Sequence, residues 1–76
     1  MNKITTSQLV DLLTNNKGKY VEASLNNGFF SATHLLVFGG QKIFDTGIDS
    51  QEISWKPEDF IRFYPEAYWV VDQIVT

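Results

Sequence analysis

His34 is the only histidine of the 76-residue chain and cysteine is absent, so any imidazole-based acid–base, nucleophilic or metal scheme has to be built around this one ring. Its neighbours at two-residue spacing are Ala32 and Leu36, both apolar. That setting fits a hydrogen-bonded structural histidine. Serines and threonines are plentiful, but none stands at a recognisable spacing from a histidine, lysine or acid that would activate it. They read as capping and strand residues, and no catalytic residue is expected.

The remaining candidates for chemistry are carboxylates and glycines. Asp45, Asp49 and Glu52 fall in a glycine-containing stretch of the kind that suits a hard cation. An EF-hand loop, however, needs oxygen ligands at regular alternate positions with a bidentate Glu at the twelfth, and this run has Thr46, Ile48 and Ser50 where extra acids would help. Asp45-Thr46-Gly47 is accounted for as a turn opened by aspartate, and no metal or cofactor is expected. Gly39-Gly40 is followed by a strand pattern, whereas a phosphate-cradling loop opens a helix.

Aromatic residues are what the chain concentrates. Six of its eleven, Trp55, Phe60, Phe63, Tyr64, Tyr68 and Trp69, lie within fifteen positions that also hold Glu58, Asp59 and Glu66. Large amphipathic rings dominate both small cores and recognition surfaces. Charge divides along the chain in the same sense. Residues 1–43 carry four lysines against Asp11 and Glu22, a balance of +2. From Phe44 onward seven carboxylates meet only Lys56 and Arg62, a balance of −5, and the net charge is −3. Nucleic-acid binding is disfavoured, because the segment rich enough in rings to stack bases is the acidic one.

The elements that must position these residues follow from periodicity. Ile4–Asn16 reads as an amphipathic helix: Thr5 and Gln8 form a capping box, Ile4 and Leu9 a hydrophobic staple, and Leu9, Leu12 and Leu13 the apolar stripe. Gly18 supplies the conformation that ends it. Lys19–Leu25 alternates, with Val21, Ala23 and Leu25 on one side. Asn27-Gly28 then predicts a hairpin into Phe29–Phe38, a strand apolar on both faces, and Gly39-Gly40 turns the chain into Gln41–Phe44.

Residues 48–54 read as a loop with a short extension around Ile53. Pro57 suits the first turn of a second helix, whose stripe is Phe60, Phe63 and Tyr64 and whose end is forced by Pro65. Ala67–Val75 closes the chain as a strand. Strict alternation puts Tyr68, Val70, Asp72 and Ile74 on one face, with Trp69, Val71, Gln73 and Val75 on the other.

The order α-β-β-β-α-β predicts one compact α+β domain over residues 1–76, an antiparallel meander sheet with both helices on one face. Apolar residues of the opposite face, notably Phe29, Leu35, Val37, Trp69 and Val71, then need cover, so a homodimer is expected. The chain start lacks a continuous apolar leader and no stretch approaches a membrane span in length, so neither secretion nor a membrane is expected. A chain free of cysteine suits the reducing cytoplasm.

The expected function is a non-enzymatic protein-binding module. Trp55, Glu58, Asp59, Tyr64, Glu66, Tyr68 and Trp69 would engage another protein with a basic surface. On size and composition alone, the profile is that of small accessory or inhibitor proteins such as phages and mobile elements encode. The alternative is a small-molecule binder, with an aromatic pocket between sheet and second helix and with His34, Tyr68 and Asp72 as its polar and aromatic contacts.

Overall fold

The structure is a computed structural model in which residues 3–26, 31–46, 53–65 and 67–75 are described. The Asn27-Gly28 turn, Phe29, Phe30, Asp49, Glu52 and Glu66 lie outside them. In chain order the elements are β1 (Lys3–Thr5), α1 (Thr6–Asn15), β2 (Tyr20–Asn26), β3 (Ser31–Gly39), β4 (Lys42–Asp45), β5 (Ile53–Trp55), α2 (Pro57–Phe63) and β6 (Tyr68–Val75). They form the expected α+β domain, an antiparallel six-stranded sheet ordered β1-β6-β2-β3-β4-β5. Two three-residue strands, β1 and β5, form its edges, and short edges limit pairing with other chains.

Helix α1 begins where its capping box dictates. The Thr5 hydroxyl accepts from the Gln8 N–H at 3.2 Å, and the Gln8 side chain accepts from the Thr5 N–H at 2.9 Å. Two otherwise orphaned donors are satisfied, an arrangement worth about 1 kcal/mol. Ile4, expected inside the helix, instead sits in β1 opposite Trp69, because the ladder to β6 claims residues 3–5 before the cap. The helix closes at Asn16, whose side-chain amide donates to the Leu12 carbonyl at 2.8 Å. Gly18 adopts φ +83° two residues later, and its N–H donates to the Phe38 carbonyl at 2.9 Å. The α1–β2 connection is thereby tied to the end of β3.

The alternation of β2 does what its period requires. Val21, Ala23 and Leu25 are buried beneath the helices, together with Leu9, Val10 and Leu13 of α1, Leu36, Ile43, Phe60, Ala67 and Trp69. Each large side chain fully withdrawn from water contributes about 1.5–3 kcal/mol. Ladder partners share a face, so Leu36, Ile43 and Trp55 join this inner layer, while Tyr20, Val37 and Phe44 point outward.

Strand β6 departs from strict alternation. Glu22 pairs with Gln73 but Ala23 pairs with Val71, so Asp72 is the extra residue of a β-bulge. One inserted residue exchanges the faces of everything beyond it. Ile74 therefore stands opposite buried Val21 on the helix side, not with Tyr68 and Val70, and Val75 stands opposite Tyr20 on the outer side. Trp69 and Val71, expected to need cover on the open face, also lie on the helix side, opposite Leu25 and Ala23. The outer face keeps Leu35 and Val37 of that set.

Candidate functional site

The aromatic residues of the C-terminal half form one connected belt running from core to surface. At its inner end Phe60 and Trp69, both 0% exposed, stack at 5.8 Å. Trp55 meets Phe60 edge-on at 5.3 Å, and Tyr64 meets Trp69 edge-on at 5.2 Å. Phe63 closes the belt against Trp55 at 5.7 Å and Tyr64 at 4.8 Å, yet it is 62% exposed. Pairs of this geometry add about 0.5–1.5 kcal/mol each beyond the area they bury. The belt therefore holds its outermost ring firmly in water.

The sequence placed Phe63 in the buried stripe of α2. It falls outside because the helix ends there: the Tyr64 N–H donates to the Phe60 carbonyl at 3.2 Å, and Pro65 follows. The edge strand β5 beside it is too short to roof it. Ile53, on the same side of β5 as Trp55, is 52% exposed and extends the apolar ridge. Glu58 and Asp59 stand exposed in the first turn of α2, where their charge complements the helix end. Arg62 approaches Asp59 only to 4.0 Å in solvent, a contact of little energetic weight.

The other expected site residues separate. Trp69 is core, and its indole N–H donates to the Thr6 hydroxyl at 2.9 Å, while that hydroxyl donates to the Tyr64 carbonyl at 2.7 Å. Tyr68 is 53% exposed but lies on the outer face opposite Asn26. Asp72 accepts from Ser24 at 2.8 Å, also on that face. His34 lies on the inner face, edge-on to Trp69 at 5.5 Å and Tyr64 at 6.4 Å. His34, Tyr68 and Asp72 therefore do not converge on one pocket. An open cleft of about 390 Å³ lies elsewhere, at the start of α2, lined by Phe38, Gln41, Lys42, Lys56, Pro57 and Glu58.

His34 does have a partner that sequence reading missed. Its Nδ1 lies 2.6 Å from Oδ2 of Asp45, a residue only 7% exposed at the end of β4. Asp45 was expected to open a turn, and it is instead the last residue of the strand. A signal was present: the β3–β4 hairpin pairs Leu36 with Asp45, which puts Asp45 on the face of His34 as a diagonal neighbour. Serine-type chemistry would need a hydroxyl on the other ring nitrogen. Among the described residues none is bonded there. Nor do three potential metal ligands converge among the described residues. No helix among them is long and apolar enough to cross a membrane.

Tyr64 connects this pair to the belt. Its phenol is held above the ordinary value of 10.0, by burial first and by the negative charge of Asp45 second. The folded chain thus keeps a proton that the unfolded chain releases near pH 10. The associated stability is fully present below that pH and is lost as pH rises through the higher folded value. Tyr64→Phe is expected to flatten the fall of the urea midpoint above pH 10. Equal slopes for the two proteins would contradict the assignment.

Set against protein-family models, curated proteins and solved structures, the chain matches none.

Proposed function

We propose that the chain is a non-enzymatic protein-binding module whose recognition surface is the ridge formed by Ile53, Trp55, Phe63 and Tyr64, rimmed by Glu58 and Asp59. The observation that carries this reading is Phe63, a large ring 62% exposed yet braced by two other rings. A preorganised aromatic anchor has little side-chain freedom left to lose on binding, and such residues are the usual hot spots of interfaces. The acidic rim selects a partner with a basic surface and accelerates its approach. A small accessory or inhibitor protein acting in a reducing compartment such as the cytoplasm fits this arrangement.

Glu58→Lys with Asp59→Lys tests the rim. Both side chains are exposed, so the double variant is expected to keep its fold while its association rate with the partner falls about tenfold or more at low salt, with the salt dependence reduced. The same substitutions at Lys17 and Lys19, reversed to glutamate, are expected to leave the rate within about twofold. An unchanged rate across salt in the Glu58/Asp59 variant would make the rim mere solvated surface.

A further inference from the structure

The cleft at the start of α2 shares only Glu58 with the Phe63 ridge. Its volume of about 390 Å³ falls in the range of about 300–1,000 Å³ that small-molecule sites occupy. One wall is the end of the β3–β4 hairpin, with Phe38, Gln41 and Lys42, and the other is the start of α2, with Lys56, Pro57 and Glu58. Backbone bonds hold both walls. The hairpin turn is closed by the Gly39–Lys42 pair with Gly40 at φ +60°, and the Phe38 carbonyl accepts from the Gly18 N–H at 2.9 Å. On the other side the Lys56 carbonyl accepts from the Phe60 N–H at 2.9 Å, and the proline ring fixes the backbone of Pro57. The cleft is therefore preformed.

In a chain of net charge −3, this is where cations gather. Lys42 and Lys56 line the cleft from its two walls, and Lys17, just past the end of α1, holds its Nζ 5.9 Å from the centre of the Phe38 ring. Three elements thus bring three lysines to one place. None of the three forms an ion pair among the described residues, and Glu58 is the single carboxylate of the lining, so the local balance is +2. A concave site lined by one sign of charge focuses its field and concentrates the opposite ion. Phe38, half-buried, adds an aromatic ring to these charges, and Gln41 adds an amide that can both donate and accept.

We propose that this cleft binds a nucleoside monophosphate, with its phosphate on Lys42 and Lys56 and its base against the Phe38 ring. Charge selects the phosphate. A phosphate monoester carries about −1.5 to −2 at neutral pH, which answers a balance of +2 better than the single charge of a carboxylate does. Lysine meets it as a point charge, so the two ammonium groups need no fixed fork geometry. The ring selects a flat body, since every base has a face to lay against an aromatic side chain. A single nucleotide fits where a polymer does not, because tracking a phosphate backbone takes a longer run of cations and Glu58 and Asp59 stand exposed at this end of α2. The inference does not rest on what the Phe63 ridge binds.

Titration of the full chain with adenosine monophosphate and with uridine monophosphate, followed by amide NMR, tests the proposal. At least one of the two is expected to shift the amides of Phe38, Gln41, Lys42 and Glu58 and to saturate with a Kd below about 1 mM. Ribose phosphate, which lacks the base, and the free nucleoside, which lacks the phosphate, are each expected to bind about tenfold more weakly. Lys42→Gln and Lys56→Gln, both at exposed positions, are each expected to keep the circular dichroism spectrum and to weaken nucleotide binding about tenfold, while Lys3→Gln on β1 leaves it unchanged. Should a lysine variant fail to fold, the ligand series on the wild-type chain decides alone. No saturable shift from either nucleotide up to about 10 mM, or shifts confined to other residues, would overturn the proposal. So would a free nucleoside or ribose phosphate that binds as tightly as the nucleotide, or an unchanged Kd in both folded lysine variants.

Discussion

Trp69→Ala is expected to leave the chain largely unfolded at neutral pH. Trp69 is fully buried at the centre of the belt, stacked on Phe60 and edge-on to Tyr64 and His34. Emptying such a site costs about 3–5 kcal/mol, a quarter or more of the roughly 4–11 kcal/mol that a 76-residue domain commands in total and all of it at the lower end. The indole also donates to Thr6 at 2.9 Å, and Thr6 donates onward to the Tyr64 carbonyl, so one hydroxyl joins β6, α1 and the end of α2. Thr6→Val should accordingly cost about 1–3 kcal/mol, because a buried indole N–H loses its acceptor. Urea titration followed by circular dichroism reads both effects. A folded, cooperatively melting Trp69→Ala protein with a midpoint near wild type would mean that the belt is not the core.

His34→Ala carries the second large effect, about 2–4 kcal/mol, because it withdraws the ring that lies 2.6 Å from a carboxylate only 7% exposed. The cost lies in the short hydrogen bond to Asp45 and the ring contacts with Trp69 and Tyr64 that go with the imidazole. Removing both members, as in His34→Phe with Asp45→Leu, is expected to cost less than the sum of the two single substitutions, because the bond they share is lost only once. His34→Gln, which keeps an amide donor for Asp45, should fall between wild type and His34→Ala. A double variant as destabilised as the sum of its single ones would show that the two residues do not act as a pair.

Local rules were legible where the chain decides locally. The capping box at Thr5 and Gln8 announces α1, and the alternation of Val21, Ala23 and Leu25 announces the buried face of β2. What escaped was set by partners distant in sequence. Residues 3–5 form a strand only because β6, some 65 positions away, supplies a ladder. The β6 pattern alternates well enough to hide its bulge, which is visible only once Glu22 and Ala23 are aligned against Gln73 and Val71.

The site was legible in composition and less so in geometry. Trp55 and Tyr64 do join the ring belt and Glu58 and Asp59 stand exposed in the first turn of α2, while Trp69 went to the core and Tyr68 to the opposite face. Phe63 was misread because periodicity treats Phe60, Phe63 and Tyr64 as one stripe. A helix of seven residues beside a three-residue edge strand has too little neighbouring structure to bury all three. The His34–Asp45 pair needed no distant information. A tight β3–β4 hairpin already places the two on one face.

The proposal that recognition occurs at the Phe63 ridge is tested most directly by placing a photo-crosslinking phenylalanine analogue at position 63 in the native host, with the same analogue at exposed Thr14 on α1 as the comparison. Position 63 is expected to give a heterologous adduct of defined mass with a protein of basic surface, lost on Glu58→Lys with Asp59→Lys, and position 14 is expected to give none. Equal adducts from both positions, or an adduct from position 63 that persists unchanged through the charge reversal, would contradict it.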